Sequence, residues 1–489
     1  MSANPSRLAS RTELTASFRD PAGSLFIREG RVLRIVTPAG QRDALAFLNS
    51  RGGRKAMESG RVVRSEALED SRTTKLLREP SIRSLFETIE GAIIVEHERI
   101  PFPSFPYEWP PEMLHAAGTL TLDLAQELLN EGIGLKDATP YNVLFRGPEP
   151  VFIDLLSFEK RDPGDAAWLA YAQFVRTFLL PLIANRQFGF SLDQILTTRR
   201  DGLEPEDVYQ WLGLSQKIRP PFLSLVSMPK WLTARHDPDD TNIYKKHALH
   251  NPEKARFILD ALMNRIRRGL QKLEPRPGKK STWSDYMGEN NNYTAGHFDA
   301  KQQFVAGIVR EFAPKRVLDV GCNTGHFSAI AARGGASVVA IDYDPVVLGD
   351  VWRMARAQKL DIQPLAVNLT RPTSGIGWRN RECPSFLDRA TGAFDGLLML
   401  AVIHHMLVTE RIPLPDILEM ASELTTDLAV IEFIAPEDSM FRRLVRGREE
   451  LHKELNNVMF ENLASRYFEI VRVQHEPGTS RWLYALRKN

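Results

Sequence analysis

The run Val317-Leu-Asp-Val-Gly-Cys-Asn-Thr-Gly-His-Phe327 limits what this chain can fold into more than any other segment. An apolar stretch carrying one acid, Asp319, ends in a turn from Gly321 to Gly325, and helical spacing begins near His326. Glycine at such a turn lets a ligand lie against the backbone and accepts angles that side chains disfavour. The exposed N–H groups of the following helix start can face an anionic group. A second apolar run, Val338-Val-Ala-Ile-Asp342, closes on another acid about 20 residues further on, where a carboxylate can accept ribose hydroxyl hydrogens.

Around this turn, short apolar runs at 316–320, 337–341, 362–367, 395–400 and 428–433 read as buried strands, with helical spacing over 324–333, 345–358 and 415–425. The alternation predicts an α/β fold, a parallel sheet covered on both faces with its ligand site at the carboxyl ends of the strands. Segments 468–474 and 481–486 suit a closing antiparallel hairpin. The earlier half reads as α+β. Segments 24–27 and 31–36 flank Arg28-Glu29-Gly30 as a hairpin, 92–96 adds a strand, and helices follow over 114–130, 166–185 and 254–270.

A chain of 489 residues exceeds what one core usually organises. The expected division is a domain over 1–262, a basic linker over 263–285, where arginines and lysines crowd around Pro275, Pro277 and Gly278, and a second domain over 286–489. A formal charge of only +2, with no aromatic platforms among the linker cations, gives no reason to expect nucleic acid as a partner. No apolar stretch is long enough for a membrane span, and two cysteines, Cys322 and Cys383, are too few for a disulfide framework, so free thiols and a cytoplasmic location are expected.

The acid before the turn, the Asp-x-Gly-x-x-x-Gly spacing and the Ile341-Asp-Tyr-Asp-Pro345 continuation resemble the first two motifs of class I S-adenosylmethionine-dependent methyltransferases; a dinucleotide-binding Rossmann domain would use the same turn physics. The resemblance covers the C-terminal domain and implies a seven-stranded sheet binding S-adenosylmethionine. By it, Asp319, Gly321, Asn323 and Gly325 line the methionine half, Asp342 binds ribose, Tyr343 packs beside the adenine, Asn368 meets the adenine edge, and Leu400 with Ala401 lies under the sulfonium. Asn323 replaces the family's middle glycine, a tolerable change because asparagine also adopts left-handed angles.

For the acceptor there are two candidate groups. Trp378, Arg379, Asn380, Glu382 and Ser385 sit in a long insertion that can grip a polar ring, or can simply be an ordered surface loop. His404 and His405 follow the fourth strand, where an imidazole can deprotonate a hydroxyl or merely cap the strand end. Adjacent histidines on a strand point to opposite faces, so no metal site is expected. Glu432, Asp438 and Arg442 are further cleft candidates, and 290–293 a candidate lid.

In the first half, Leu135-Lys-Asp-Ala-Thr-Pro-Tyr-Asn142 and Val151-Phe-Ile-Asp154 are similar to the catalytic-loop and metal-binding motifs of kinases of the protein-kinase and aminoglycoside-phosphotransferase type. That resemblance implies Asp137 as base, Asn142 and Asp154 on magnesium, and ATP as ligand. Leu135 stands where a histidine is expected, no Phe-Gly follows Asp154, the hairpin lacks a glycine-rich loop, and Arg34 replaces the nucleotide-contacting lysine, so the kinase-like domain reads as degenerate. The two-part arrangement resembles rhizobial nodulation-protein-type methyltransferases and kinase–methyltransferase fusions that finish polysaccharides. It implies methylation, on oxygen, of a small polar, glycan or secondary-metabolite acceptor. The alternatives are a bifunctional kinase and methyltransferase, and a non-catalytic scaffold that binds S-adenosylmethionine.

Overall fold

The computed structural model describes residues 13–14, 20–83, 90–233, 249–278, 281, 295–475 and 478–489. The candidate lid at 290–293 lies outside them. Strands β1 (Glu13–Leu14), β2 (Gly23–Arg28), β3 (Arg31–Val36), β4 (Ser65–Ala67) and β5 (Ile93–His97) form an antiparallel sheet in the order β1-β2-β3-β5-β4. The β2–β3 turn places Glu29 and Gly30 at φ 50° and 77°, as a tight two-residue hairpin requires. Two small antiparallel ribbons follow, β6 (Ile133–Leu135) with β9 (Phe158–Lys160) and β7 (Val143–Arg146) with β8 (Glu149–Phe152), around the helix Pro111–Leu128.

The C-terminal sheet has seven strands: β10 (Arg316–Val320), β11 (Ser337–Asp342), β12 (Ile362–Ala366), β13 (Phe394–Met399), β14 (Thr425–Ile434), β15 (Phe468–His475) and β16 (Arg481–Lys488). Their order is β12-β11-β10-β13-β14-β16-β15, parallel through β14 and antiparallel in the last two pairings. Branched and apolar side chains fill both faces, as a sheet covered on both sides demands. The order switches direction between β10 and β13, which opens a crevice at the carboxyl ends of the central strands.

The basic stretch differs from a plain linker. A helix over Pro252–Lys272 continues well past residue 262 and packs on Pro111–Leu128, with Arg267 Nη1 donating to Asp123 Oδ1 at 2.5 Å. Burial of Ala255, Leu259, Met263, Ile266 and Leu270 at helical spacing holds it there, while the cations take the solvent side.

The two parts share one hydrophobic cluster, in which Phe102 meets Phe386 and Phe394 at ring-centroid distances of 5.9 and 5.4 Å. Buried polar contacts stitch the same joint. Arg389 pairs with Glu108 and donates to the Pro103 carbonyl at 2.5 Å, and Gln363 Nε2 donates to Ser104 Oγ at 2.8 Å. Arg353 reaches Glu112 at 2.5 Å from the helix Pro345–Gln358. That helix begins just beyond Asp342, so the N-terminal part grips the element that leads away from the strand carrying this second acid.

Candidate active site

A cavity of about 540 Å³ lies at the carboxyl ends of β10, β11 and β13. Small-molecule sites typically measure roughly 300–1,000 Å³ and are mostly apolar with a few placed polar groups. Asp319, Gly321, Asn323, Asp342, Tyr343, Asn368, Leu400, Ala401 and His405 all line it. Gly325 completes the turn as the left-handed residue before the helix His326–Arg333, at φ 76°.

The turn is held by its own acids. Gly321 sits at φ 69°, and a Cβ there would come within 2.5 Å of Val402 Cγ2, so only glycine fits without displacement. Asn323 takes the left-handed angle φ 48° that the departure from glycine required. Its N–H donates to Asp342 Oδ2 at 3.0 Å, while Asp342 Oδ1 accepts from the Asp344 N–H at 3.0 Å. Those two bonds favour the carboxylate, but burial outweighs them and leaves the Asp342 carboxyl above its ordinary range. Asp319 is 2% exposed and accepts from Ser328 Oγ at 2.5 Å. Burial pushes its carboxyl up to about 6, against the pull of the Ser328 hydroxyl and the Lys301 ammonium, with Asp342 adding to the rise.

Asn368 uses its Oδ1 to hold the Thr370 N–H and hydroxyl, so the strand-end cap and a place on the cavity wall coexist in one residue. Tyr343 is 57% exposed at the rim. The buried floor, the glycine turn and two wall carboxylates suit the ribose and amino-acid ends of S-adenosylmethionine, and the apolar span of Leu400, Ala401 and Val402 suits its sulfonium region.

His404 and His405 depart from the expectation for a strand end. Both lie in the first turn of the helix Ile403–Val408, with ring centroids 4.2 Å apart rather than on opposite faces. His405 lines the cavity, and burial lowers its basicity, which keeps it neutral at neutral pH. His404 does not line it. Burial, then His405, Arg481 and Lys301, push its pKa well below the ordinary histidine value, so it is an inert neutral ring.

The insertion group also falls elsewhere. Trp378 is 63% exposed, Arg379 and Asn380 take left-handed angles at the surface, and none of Trp378, Arg379, Asn380, Glu382 or Ser385 reaches the cavity. Glu382 is buried and paired with Arg200 of the N-terminal part, while Ser385 caps the helix Phe386–Ala390. Glu432 and Asp438 do not line the cavity; both pair with Arg481, Glu432 also with the wall residue Lys301, and Arg442 is exposed. Residues that the sequence did not single out, Phe298, Lys301, Thr409, Glu410 and Leu444 among them, complete the wall. No local motif marks them, because they come from the helices on either side of the sheet.

In the N-terminal part, Arg34, Asp137, Asn142 and Asp154 do converge. Arg34 Nη1 donates to Asp154 Oδ1 at 2.7 Å, Ser157 Oγ donates to Asp154 Oδ2 at 2.5 Å, and Asn142 Nδ2 donates to Ser157 Oγ at 2.9 Å. Burial raises the Asp137 carboxyl, with contacts to Gln173 and Asn142 opposing the rise and the Asp154 charge adding to it. Among the described residues no group of histidines, cysteines and acids is arranged to hold a metal ion, and no helix is long and apolar enough to cross a membrane.

Strand order, glycine turn and paired acids on one cavity define an S-adenosylmethionine-dependent methyltransferase, and residues 293–476 match a family model described as a methyltransferase domain. The nodulation protein NoeA of Rhizobium meliloti (strain 1021) is 30% identical over 484 residues, 97% of this chain and 96% of that one. The chain belongs to the NoeA family. Among solved structures, the N-methyltransferase NodS from Bradyrhizobium japonicum WM9 in complex with S-adenosyl-l-homocysteine is 14% identical, over 42% of this chain and 92% of its own, at a TM-score of 0.30. WbdD is 16% identical, over 41% and 42%, also at 0.30. Overlaps this slight carry no functional inference.

Proposed function

We propose that the enzyme methylates a hydroxyl oxygen on a small polar, glycan or secondary-metabolite acceptor. Asp342 binds the donor's ribose, Asp319 its ammonium, and Tyr343 with Asn368 its adenine. When bound, S-adenosylmethionine supplies an electrophilic methyl group. His405 accepts the hydroxyl proton as the oxygen attacks, and Thr409 and Glu410 at the same end of the cavity orient neighbouring polar groups of the acceptor. Val402, Met406 and Leu444 keep water from the reacting atoms.

The observation that carries this reading is His405, a neutral imidazole on the wall shared with Leu400 and Ala401. Incubating the protein with methyl-labelled donor and cell extract, then locating the label, tests it. Label in an ether supports the proposal; label on nitrogen or a carboxylate, or no labelled product from repeated extracts, removes it. Calorimetry with Asp342→Ala tests the donor half separately, and unchanged affinity for S-adenosylmethionine would displace the ribose site.

A second reading concerns residues 1–262, which we take as a degenerate kinase-like domain that scaffolds the enzyme and positions its substrate. The observation favouring it over an active kinase is Arg34, whose guanidinium already bonds the Asp154 carboxylate that a metal would need. Arginine cannot give up its charge and fills the place with a planar fork rather than a compact ammonium.

A further inference from the structure

Lys301 is 3% exposed, yet it lines the donor cavity. It projects from the helix Ala295–Phe312, which packs against the helix that opens at the glycine turn, and its Nζ lies 5.1 Å from the centre of the Phe327 ring. Its ammonium donates to Glu432 Oε2 at 2.5 Å, and Arg481 bonds both Glu432 and Asp438, at 3.5 and 2.9 Å. Among the described residues that cluster sets two cations beside two carboxylates, and the Glu432 bond holds the ammonium at the cavity wall. The wall otherwise carries acids: Asp319, Asp342 and Glu410. Lys301 is its one lysine or arginine among the described residues.

We propose that Lys301 is the cation that receives the carboxylate of the donor's methionine end. This rests on the donor-site reading above and adds to it the recognition of the zwitterion: Asp319 meets the ammonium, Lys301 the carboxylate. The Lys301 charge already acts on the Asp319 carboxyl, so the two lie at the same end of the cavity. The N–H groups at the start of the helix His326–Arg333 add a weaker anion-attracting field. Glu432 and Arg481 are positioning residues, holding the lysine rather than touching the donor.

The test compares binding of S-adenosylhomocysteine and its decarboxylated analogue, which keeps the ammonium, by calorimetry on the full chain. A charge-assisted bond in a buried site predicts that the wild type prefers the carboxylate-bearing ligand by about tenfold or more. Lys301→Met is expected to abolish the preference, lowering affinity for S-adenosylhomocysteine to that of the analogue while leaving the analogue's own affinity unchanged. Lys301→Arg retains part of it. A wild type that does not distinguish the ligands overturns the proposal without any variant, and so does a Lys301→Met protein that loses affinity for both ligands equally. Asp342→Ala weakens both ligands alike if the ribose site stands. Wild-type protein that binds neither ligand would remove the donor-site reading, and this inference with it.

Discussion

The rings of His404 and His405 lie 4.2 Å apart, centre to centre, but only His405 reaches the cavity; His404 is 2% exposed behind it. Neighbours in one helical turn thus have opposite prospects. His405→Ala is expected to slow methyl transfer by about a hundred- to ten-thousand-fold while leaving donor affinity intact. His404→Phe, which replaces a buried ring whose nitrogens find no hydrogen-bond partner with an apolar ring of similar size, should keep turnover within a few-fold and leave the melting temperature unchanged or raised. Turnover lost equally in both variants would contradict the assignment.

Donor affinity should depend on pH through Asp319. Its carboxyl is raised to about 6, so it is ionised above that value and protonated below it. Only the ionised form pairs with an ammonium. Affinity for S-adenosylhomocysteine is therefore expected to be flat above about pH 6 and to fall as the pH drops below it. Asp319→Asn should bind weakly with no such inflection, which calorimetry across pH 5 to 8 would reveal, roughly the range in which perturbed groups of this kind titrate.

The turn itself offers a packing test. Gly321→Ala forces a methyl against Val402 at a positive φ, and it should cost about 1–3 kcal/mol of stability. Donor affinity falls with it because Val402 is also part of the wall. Chemical denaturation and donor titration on one preparation give both numbers; an unperturbed variant would mean that the turn tolerates a side chain.

At the joint between the two parts, Arg389→Ala strands the Glu108 carboxylate without its counter-ion. Both side chains are almost fully buried, so the loss is expected to reach about 3–5 kcal/mol in denaturant unfolding of the full chain. A loss below about 1 kcal/mol would place this pair with surface ion pairs instead.

For the N-terminal cluster, the Arg34–Asp154 bond leads to an expectation of no magnesium-dependent ATP binding at millimolar nucleotide. A calorimetric signal with ATP and magnesium, absent in Asp154→Asn, would restore the bifunctional reading.

The part of the cavity formed by Asp319, the glycine turn and Asp342 was legible in the sequence because it is written locally. Asp319, the glycine turn and Asp342 each stand at the end of an apolar run, and a strand ending in a turn admits few geometries. The rest of the wall was not. Trp378 and Glu382 look alike in sequence whether a polar loop faces a ligand or another part of the chain, and the partner that decides it, Arg200, lies 182 residues away. His404 and His405 were assigned to a strand end because the apolar run continues past Leu400, and only the left-handed backbone at Ala401 breaks it. The basic stretch concealed a helix whose buried positions interleave with its charges. Lys301 had no motif around it at all, its position being fixed by Glu432 in the fifth strand of the sheet.

The long insertion after Asn368 is anchored through Glu382 to the N-terminal part, while the far end of the cavity is built by the short helices that carry His405 and Leu444. On the acceptor reading proposed above, attachment and substrate choice fall to different stretches of chain. Under that reading, descendants of this protein would drift toward new acceptors by altering the two short helices, without renegotiating the joint that keeps their two halves together.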